Sequence, residues 1–222
     1  LRRDFALLLQ GGDGDALEST AERLEEFCQW SEGVLAFPAD IEQEEDREQL
    51  VEFLLEEFKR LDLFVDVPVW PDRDPPLLDM PAEQYRALLT AAQDAPLLLT
   101  QLVANELVRL SESGQVEGAK IVIVNSIGAE AISSQHPARC LAAASRAAAA
   151  RLFADALGEH GITVHEVRAG LVLPPGHEPT GRAERGLDET CIPTRRWGRP
   201  QDVALAVAAI ADDLLAYSTG DC

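Results

Sequence analysis

The sequence is short of positive charge. Its 19 Lys and Arg residues stand against 39 Asp and Glu over 222 residues, a net charge of −20. A surface of that sign repels phosphate backbones and anionic membranes, so neither nucleic acid nor a membrane is expected as a partner. No apolar run approaches the roughly 20 residues that a membrane helix needs. A basic N-terminus leading into an apolar core, the mark of a secretory signal, is also missing, and a cytoplasmic protein is expected. Cysteine is scarce: Cys28, Cys140, Cys191 and Cys222 have neither the close pairs of zinc sites nor the density of a disulfide scaffold. Unpaired thiols are expected. His136, His160, His165 and His177 carry no metal-ligand spacing, and no metal is expected.

What is present describes an ordinary globule, 46% hydrophobic and 26% charged, long enough for one domain over 1–222 with a sizeable core. Strands and helices alternate along it. Phe5 to Leu9 reads as a strand, Gln10 to Asp15 as a turn, and Ala16 to Trp30 as a helix with Leu17, Ala21, Leu24 and Cys28 at helical spacing. Val34 to Phe37 is a strand, and about Gln43 to Arg60 a helix whose Glu44, Glu45 and Asp46 suit the positive end of its dipole. A strand from Leu63 to Val67 precedes the proline-rich loop Pro68 to Pro81. A long helical region, Ala82 to Leu110, is expected to be interrupted near Pro96. Then come a strand at Ile121 to Val124, a helix from Pro137 to Leu157, a strand at Ile162 to Val167, an irregular segment Gly170 to Thr194, and a helix from Pro200 to about Ala216. Continuous apolar strands alternating with helices predict an α/β protein with a doubly wound parallel sheet flanked by helices.

The stretch Lys120 to Ala143 organises the chain. Its β-branched run ends at Asn125 and Ser126, Arg139 follows 13 residues after Ser126, and Ala143 stands four further on, inside an Ala-rich helix. This resembles the short-chain dehydrogenase/reductase family, a Rossmann-like fold whose core runs strand, Ser, about thirteen residues, Tyr, three residues, Lys. The spacing survives, with Arg139 and Ala143 in place of Tyr and Lys. Further along, Arg195 to Asp221 resembles the family's C-terminal signature, and Ala36 to Ile41 its third strand, whose Asp, here Asp40, contacts adenine. Leu61 to Val69 resembles the strand that ends in Asn-Asn-Ala-Gly, replaced here by Asp66, Val67, Pro68 and Val69. In the next helix Ala92 takes the place of an Asn that organises a proton relay. Within the family, His136 to Ala143 looks most like the pteridine reductase branch, which reads His-Pro-x-Tyr-Cys-x-x-Lys.

The N-terminal register follows from spacing. Gly11, Gly12 and Gly14 suggest a phosphate-binding turn, but Leu17 stands where the third glycine of G-x-G-x-x-G belongs. From Asp40 to Asp66 is 26 residues, the family's interval between third and fourth strands, so Phe5 to Leu9 corresponds to the second. The resemblance thus leaves the first strand with its phosphate turn, and the last strand, out of this chain.

The resemblance implies hydride transfer to or from NAD or NADP, with Tyr as proton donor and Lys lowering its pKa. Arg139 stays protonated and cannot exchange a proton at a useful rate. Ala143 carries no charge, and Ser126 without a base is an orienting hydroxyl. Asp40 offers at most a vestigial adenine contact. A catalytically degenerate member without a cofactor is therefore expected, acting as a structural or regulatory subunit paired with itself or with an active relative. Helices 96–110 and 137–157 are its expected contact, because Ala138, Ala142 to Ala144 and Ala147 to Ala150 permit close helix approach and Leu98, Leu102, Leu107 and Leu110 face it. The alternatives are a working NAD(P)-dependent oxidoreductase on a carbonyl or pterin, and a small-molecule binding protein. Arg195, Arg196 and Arg199 read as a helix start before they read as an acid-binding cluster.

Overall fold

The computed structural model describes residues 6–28, 33–70, 75–134, 136–173 and 192–222. Strand and helix alternate as β1 (Leu7–Gly11), α1 (Gly14–Cys28), β2 (Val34–Pro38), α2 (Glu44–Phe58), β3 (Leu63–Asp66), α3 (Ala82–Leu89), α4 (Ala95–Glu112), β4 (Lys120–Ser126), α5 (Pro137–Leu157), β5 (Thr163–Ala169) and α6 (Pro200–Ala211). All pairings are parallel, as the continuous apolar runs require. Among the described residues the ladder is divided: β1 pairs with β2, and β3, β4 and β5 form a second sheet in that order.

The two sheets share one core. Leu99, Val103, Leu107 and Leu110 of α4 lie at helical spacing over Ile121 and Ile123 of β4, with Ala150, Ala154 and Leu157 of α5 beside them. Leu50 of α2 joins this cluster, and Leu8 of β1, Phe37 of β2 and Phe64 of β3 pack against it. Phe37 also meets the Phe53 ring at 4.9 Å between centroids.

The helical region is interrupted near Pro96 as expected, by a π-turn rather than by a gap. α3 and α4 run together from Ala82 to Glu112 through a π-turn at Thr90–Asp94. Pro96 has no N–H for the carbonyl four residues back, Ala92, and the wider turn takes up the misfit, with the Ala95 N–H reaching Thr90 O instead. By length and composition this joined helix could cross a membrane, with a window of mean hydropathy 1.2. Its inner face, from Leu99 to Leu110, is instead sealed in the core.

Two other boundaries move. α6 stops at Ala211 rather than near Ala216, because Asp213 takes a left-handed conformation (φ 57°) and its carboxylate meets Lys120 at 2.7 Å. At the C-terminal end the Gly220 N–H donates to Val164 O at 2.8 Å and the Glu166 N–H to Asp221 O at 3.1 Å, so residues 219–221 lie along the outer edge of β5. Most of the irregular segment Gly170 to Thr194 lies outside the described residues.

Candidate functional site

The residues singled out in the sequence converge on the C-terminal ends of β3, β4 and β5, where the N-terminal half of α5 crosses. Ser126 ends β4 and caps a short 3₁₀ turn, Ile127–Ala129, its Oγ accepting the Gly128 N–H at 3.1 Å. Its hydroxyl is thereby used in a local turn. Asn125, 1% exposed, fixes the neighbourhood. Its Oδ1 accepts the Ser126 N–H at 2.8 Å, and its Nδ2 donates to Ala143 O at 2.9 Å and to Glu166 Oε1 at 2.7 Å. One buried amide therefore ties strand, helix and neighbouring strand together, which satisfies its own hydrogen-bonding capacity at the same time.

Arg139 sits in the first turn of α5 with its guanidinium carbon 5.9 Å from the Trp70 ring centroid, a cation–π distance. Ala143, one turn on, is fully buried, and Ala92 in the π-turn is 4% exposed. Both positions are thus packed closed by neighbouring atoms. The alanines of α5 behave alike. Ala138, Ala142, Ala147, Ala149 and Ala150 are buried within the chain's own fold. Alanine lets the helix lie close to its own strands, which is the stronger demand here. Leu107 and Leu110 are buried in the same core. Asp40 stands apart at the end of β2. Its carboxylate accepts from the Glu42 N–H at 3.1 Å and from Gln43 Nε2 at 3.4 Å, while its own N–H is bonded to Asp46 at 2.8 Å.

Two charged groups were missed by sequence reasoning. Arg146, in the middle of α5 and 4% exposed, donates to Asp66 Oδ2 at 2.7 Å, to Val124 O at 2.9 Å and to Ala92 O at 3.5 Å. The last is the carbonyl that Pro96 leaves without a helical donor. Burial pushes the Asp66 carboxyl up from its ordinary value, with Arg146 pulling the other way. The available signal was an arginine alone in an alanine run facing an aspartate where the resemblance expects Asn. The second group is Glu166, 7% exposed, which takes a bidentate contact from Arg168 at 2.9 and 2.7 Å; Arg168 also reaches Glu130 beyond the Ser126 turn. Glu166 holds the Arg168 guanidinium firmly charged. Both residues point the same way from β5 at alternate positions, a period-2 signal.

At the start of α6, Asp202 accepts the Arg199 N–H at 2.8 Å and pairs with Arg196 at 2.7 and 2.9 Å, which makes the arginine cluster a helix start.

A family model described as enoyl-(acyl carrier protein) reductase matches residues 6–222. This chain belongs to the short-chain dehydrogenase/reductase superfamily. It is similar to the L-rhamnose 1-dehydrogenase (NAD(P)(+)) of a Sphingomonas species, 26% identical over 220 residues, 98% of this chain and 82% of that protein. It is also similar to the (3R)-3-hydroxyacyl-CoA dehydrogenase of Mus musculus, 27% identical over 187 residues, 83% of this chain and 70% of that protein. A solved short-chain type dehydrogenase/reductase from Mycobacterium ulcerans, at 23% identity, has a TM-score of 0.87 over 97% of this chain and 77% of that one, a likeness of fold.

In this short-chain dehydrogenase/reductase the residues that the sequence offered toward a dinucleotide are engaged locally. The turn after β1 places Asp13 as the cap of α1, accepting the Ala16 N–H at 3.1 Å, with Asp15 in the first helical turn. Asp40 is engaged in its own turn, and no side chain at Ala143 could reach a ribose.

Proposed function

We propose that this chain is a catalytically degenerate short-chain dehydrogenase/reductase that works as a structural or regulatory subunit, with itself or with an active relative, in the cytoplasm. The observation that carries the reading is the pair at the reaction centre: a guanidinium stacked toward Trp70 where a phenol belongs, and a fully buried methyl where an ammonium belongs. Neither can deliver a proton to a carbonyl oxygen. Association through α4 and α5 is supported by what those helices leave outside, Leu97, Leu98, Leu141 and Leu152, each more than a third exposed.

A second reading is an NAD(P)-dependent oxidoreductase acting on a carbonyl or, given the His136 to Ala143 run, on a pterin. Its support is the relatives: dehydrogenase names attach to proteins that match 98% and 83% of the chain. A small-molecule binder that never turns its ligand over is the third.

Calorimetric titration of the purified chain with NAD(H) and NADP(H), beside a turnover assay over carbonyl and pterin substrates, separates these readings. The expected result is no binding at micromolar concentration, about −8 kcal/mol, and no turnover. Turnover by the unmodified chain overturns the subunit reading in favour of the oxidoreductase; tight binding of a carbonyl or pterin compound without turnover favours the binder.

A further inference from the structure

The segment after α6 is tied to β5 at a few points. Thr219 Oγ1 accepts the Val164 N–H at 3.0 Å, the Gly220 N–H donates to Val164 O at 2.8 Å, and the Glu166 N–H donates to Asp221 O at 3.1 Å. Upstream, Asp213 in its left-handed turn pairs with Lys120 at 2.7 Å. Most side chains from 212 to 222 are otherwise exposed. A segment held in this way opens more readily than the sheet it borders.

His165 stands beside that attachment. Side chains alternate along β5, so Val164 and Glu166 face α5 while Thr163 and His165 face the other way. Lys120 shares the second face, because it is the register partner of Thr163. The imidazole is 4% exposed, with Nε2 at 3.1 Å from Thr163 Oγ1. The charges acting on it are Lys120 from β4 and Asp221 from the segment, with Asp213 held on Lys120. Glu166 turns to the opposite face and is taken by Arg168. There too lies α5 with Arg139, Arg146, Arg151 and Asp155, and Asp202 of α6 is paired with Arg196. Burial, with Lys120 behind it, pushes the imidazole below its ordinary 6.5, and Asp221 pulls the other way more weakly. The protonated ring is thus held less well here than in water. To hydrate it, a neighbour must move, and β4 is locked between β3 and β5.

We propose that His165 makes residues 212–221 an acid-released latch: when the imidazole takes a proton, the segment leaves the outer edge of β5. The neutral ring favours the docked segment above 6.5, and that contribution is lost as pH falls toward the lowered docked value.

The test is amide hydrogen exchange of the full chain followed by NMR and expressed as protection factors, which divides out the intrinsic pH dependence of exchange. From about pH 7.5 to about pH 5, protection of the Val164, Glu166 and Gly220 amides should fall by up to about tenfold per unit below 6.5, one proton's linkage, while Val122 and Ile123 keep theirs. In His165→Gln, which cannot take that proton, protection should not depend on pH over this range. Asp221→Asn, at an exposed position, keeps the test open should the change at His165 disturb folding. The amide still offers Ser218 Oγ an acceptor but removes the one attractive charge from the docked imidazolium, so release should come at a higher pH than in wild type. A ring that stays neutral down to about pH 5 in its own NMR titration, or that charges while the three amides stay protected, overturns the inference. So does the same loss of protection in His165→Gln, or release at a lower pH in Asp221→Asn, since either would assign the opening to the carboxylates.

Discussion

The β3–β4–β5 sheet and the β1–β2 sheet meet in one core, yet they are held differently. In the larger sheet β4 runs between two partners, and Ile121, Val122, Ile123 and Val124 are at most 7% exposed. In the smaller sheet every residue of β1 is half-buried, and Leu8 and Phe37 reach the core from one face. The buried charges Arg146 and Glu166, with Asp66 beside them, lie in the sealed half, and Arg47 of α2, donating to Ile41 O at 2.6 Å, is the buried charge of the other. Most of the described acidic side chains of α1 and α2, among them Glu18, Glu22, Glu48 and Glu52, stay at the surface of the other. A buried ion pair is tolerated where packing fixes every partner of both ions. The lesson is that the ends of β3, β4 and β5 are closed by packing and charge pairing around Asn125, Ala143, Arg146 and Glu166.

The largest expected effect breaks the sealed half from inside. Asp66→Asn leaves Arg146 charged and uncompensated, and should cost about 3–5 kcal/mol of unfolding free energy. Adding Arg146→Leu removes the stranded charge, so the double variant should recover most of that loss, even though it also gives up the bond to Ala92 O. Urea denaturation of the two single variants and the double closes the cycle. Additive losses would mean that the pair is not a unit.

A smaller effect sharpens the contrast between halves. Leu107, fully buried under β4, should cost about 2–5 kcal/mol on replacement by Ala. Leu8 of the half-buried β1 should cost nearer about 1 kcal/mol. Native-state hydrogen exchange should rank the strands alike, with β1 amides opening well before those of β4. Equal protection in the two sheets would show that the shared core, not the ladder, governs opening.

Much of this was legible in the sequence, for reasons of period. The apolar runs of β2, β3 and β4, and the proline at the start of α5 and of α6, place their elements within a few residues. Parallel order and family membership follow from the alternation and from the spacing of Ser126, Arg139 and Ala143. Pro96 announced the interruption but not its form: a local rule about prolines cannot see a π-turn that moves the misfit upstream or an arginine 50 residues later that takes the orphaned carbonyl. The α5 alanines left their neighbour open for a related reason: small residues permit close approach to any surface, and those buried here pack within the chain's own fold. Arg146 and Asp66 are 80 residues apart, and nothing in either local pattern announces the other.

The smallest effect is one of sign, and it compares an aspartate from the sealed core with one from the surface. Burial raises the Asp66 carboxyl above its ordinary 3.8, outweighing Arg146, whereas the hydrogen bond from Arg196 and the Arg199 N–H hold Asp202 down at about 2. For Asp66 the folded state binds the proton more tightly than the unfolded chain, so its contribution favours folding below 3.8 and is lost as pH rises through the raised folded value. For Asp202 the order reverses: its contribution is present above 3.8 and disappears as pH falls through about 2. Carbon-detected NMR titration of the two carboxyls should therefore find midpoints on opposite sides of 3.8. The stability gap between wild type and Asp202→Asn should close as the solution is acidified over that lower window. An Asp66 midpoint below 3.8 would mean that the guanidinium, not burial, decides the balance in the core, and the larger sheet would then be strapped by its ion pair more tightly than its packing alone requires.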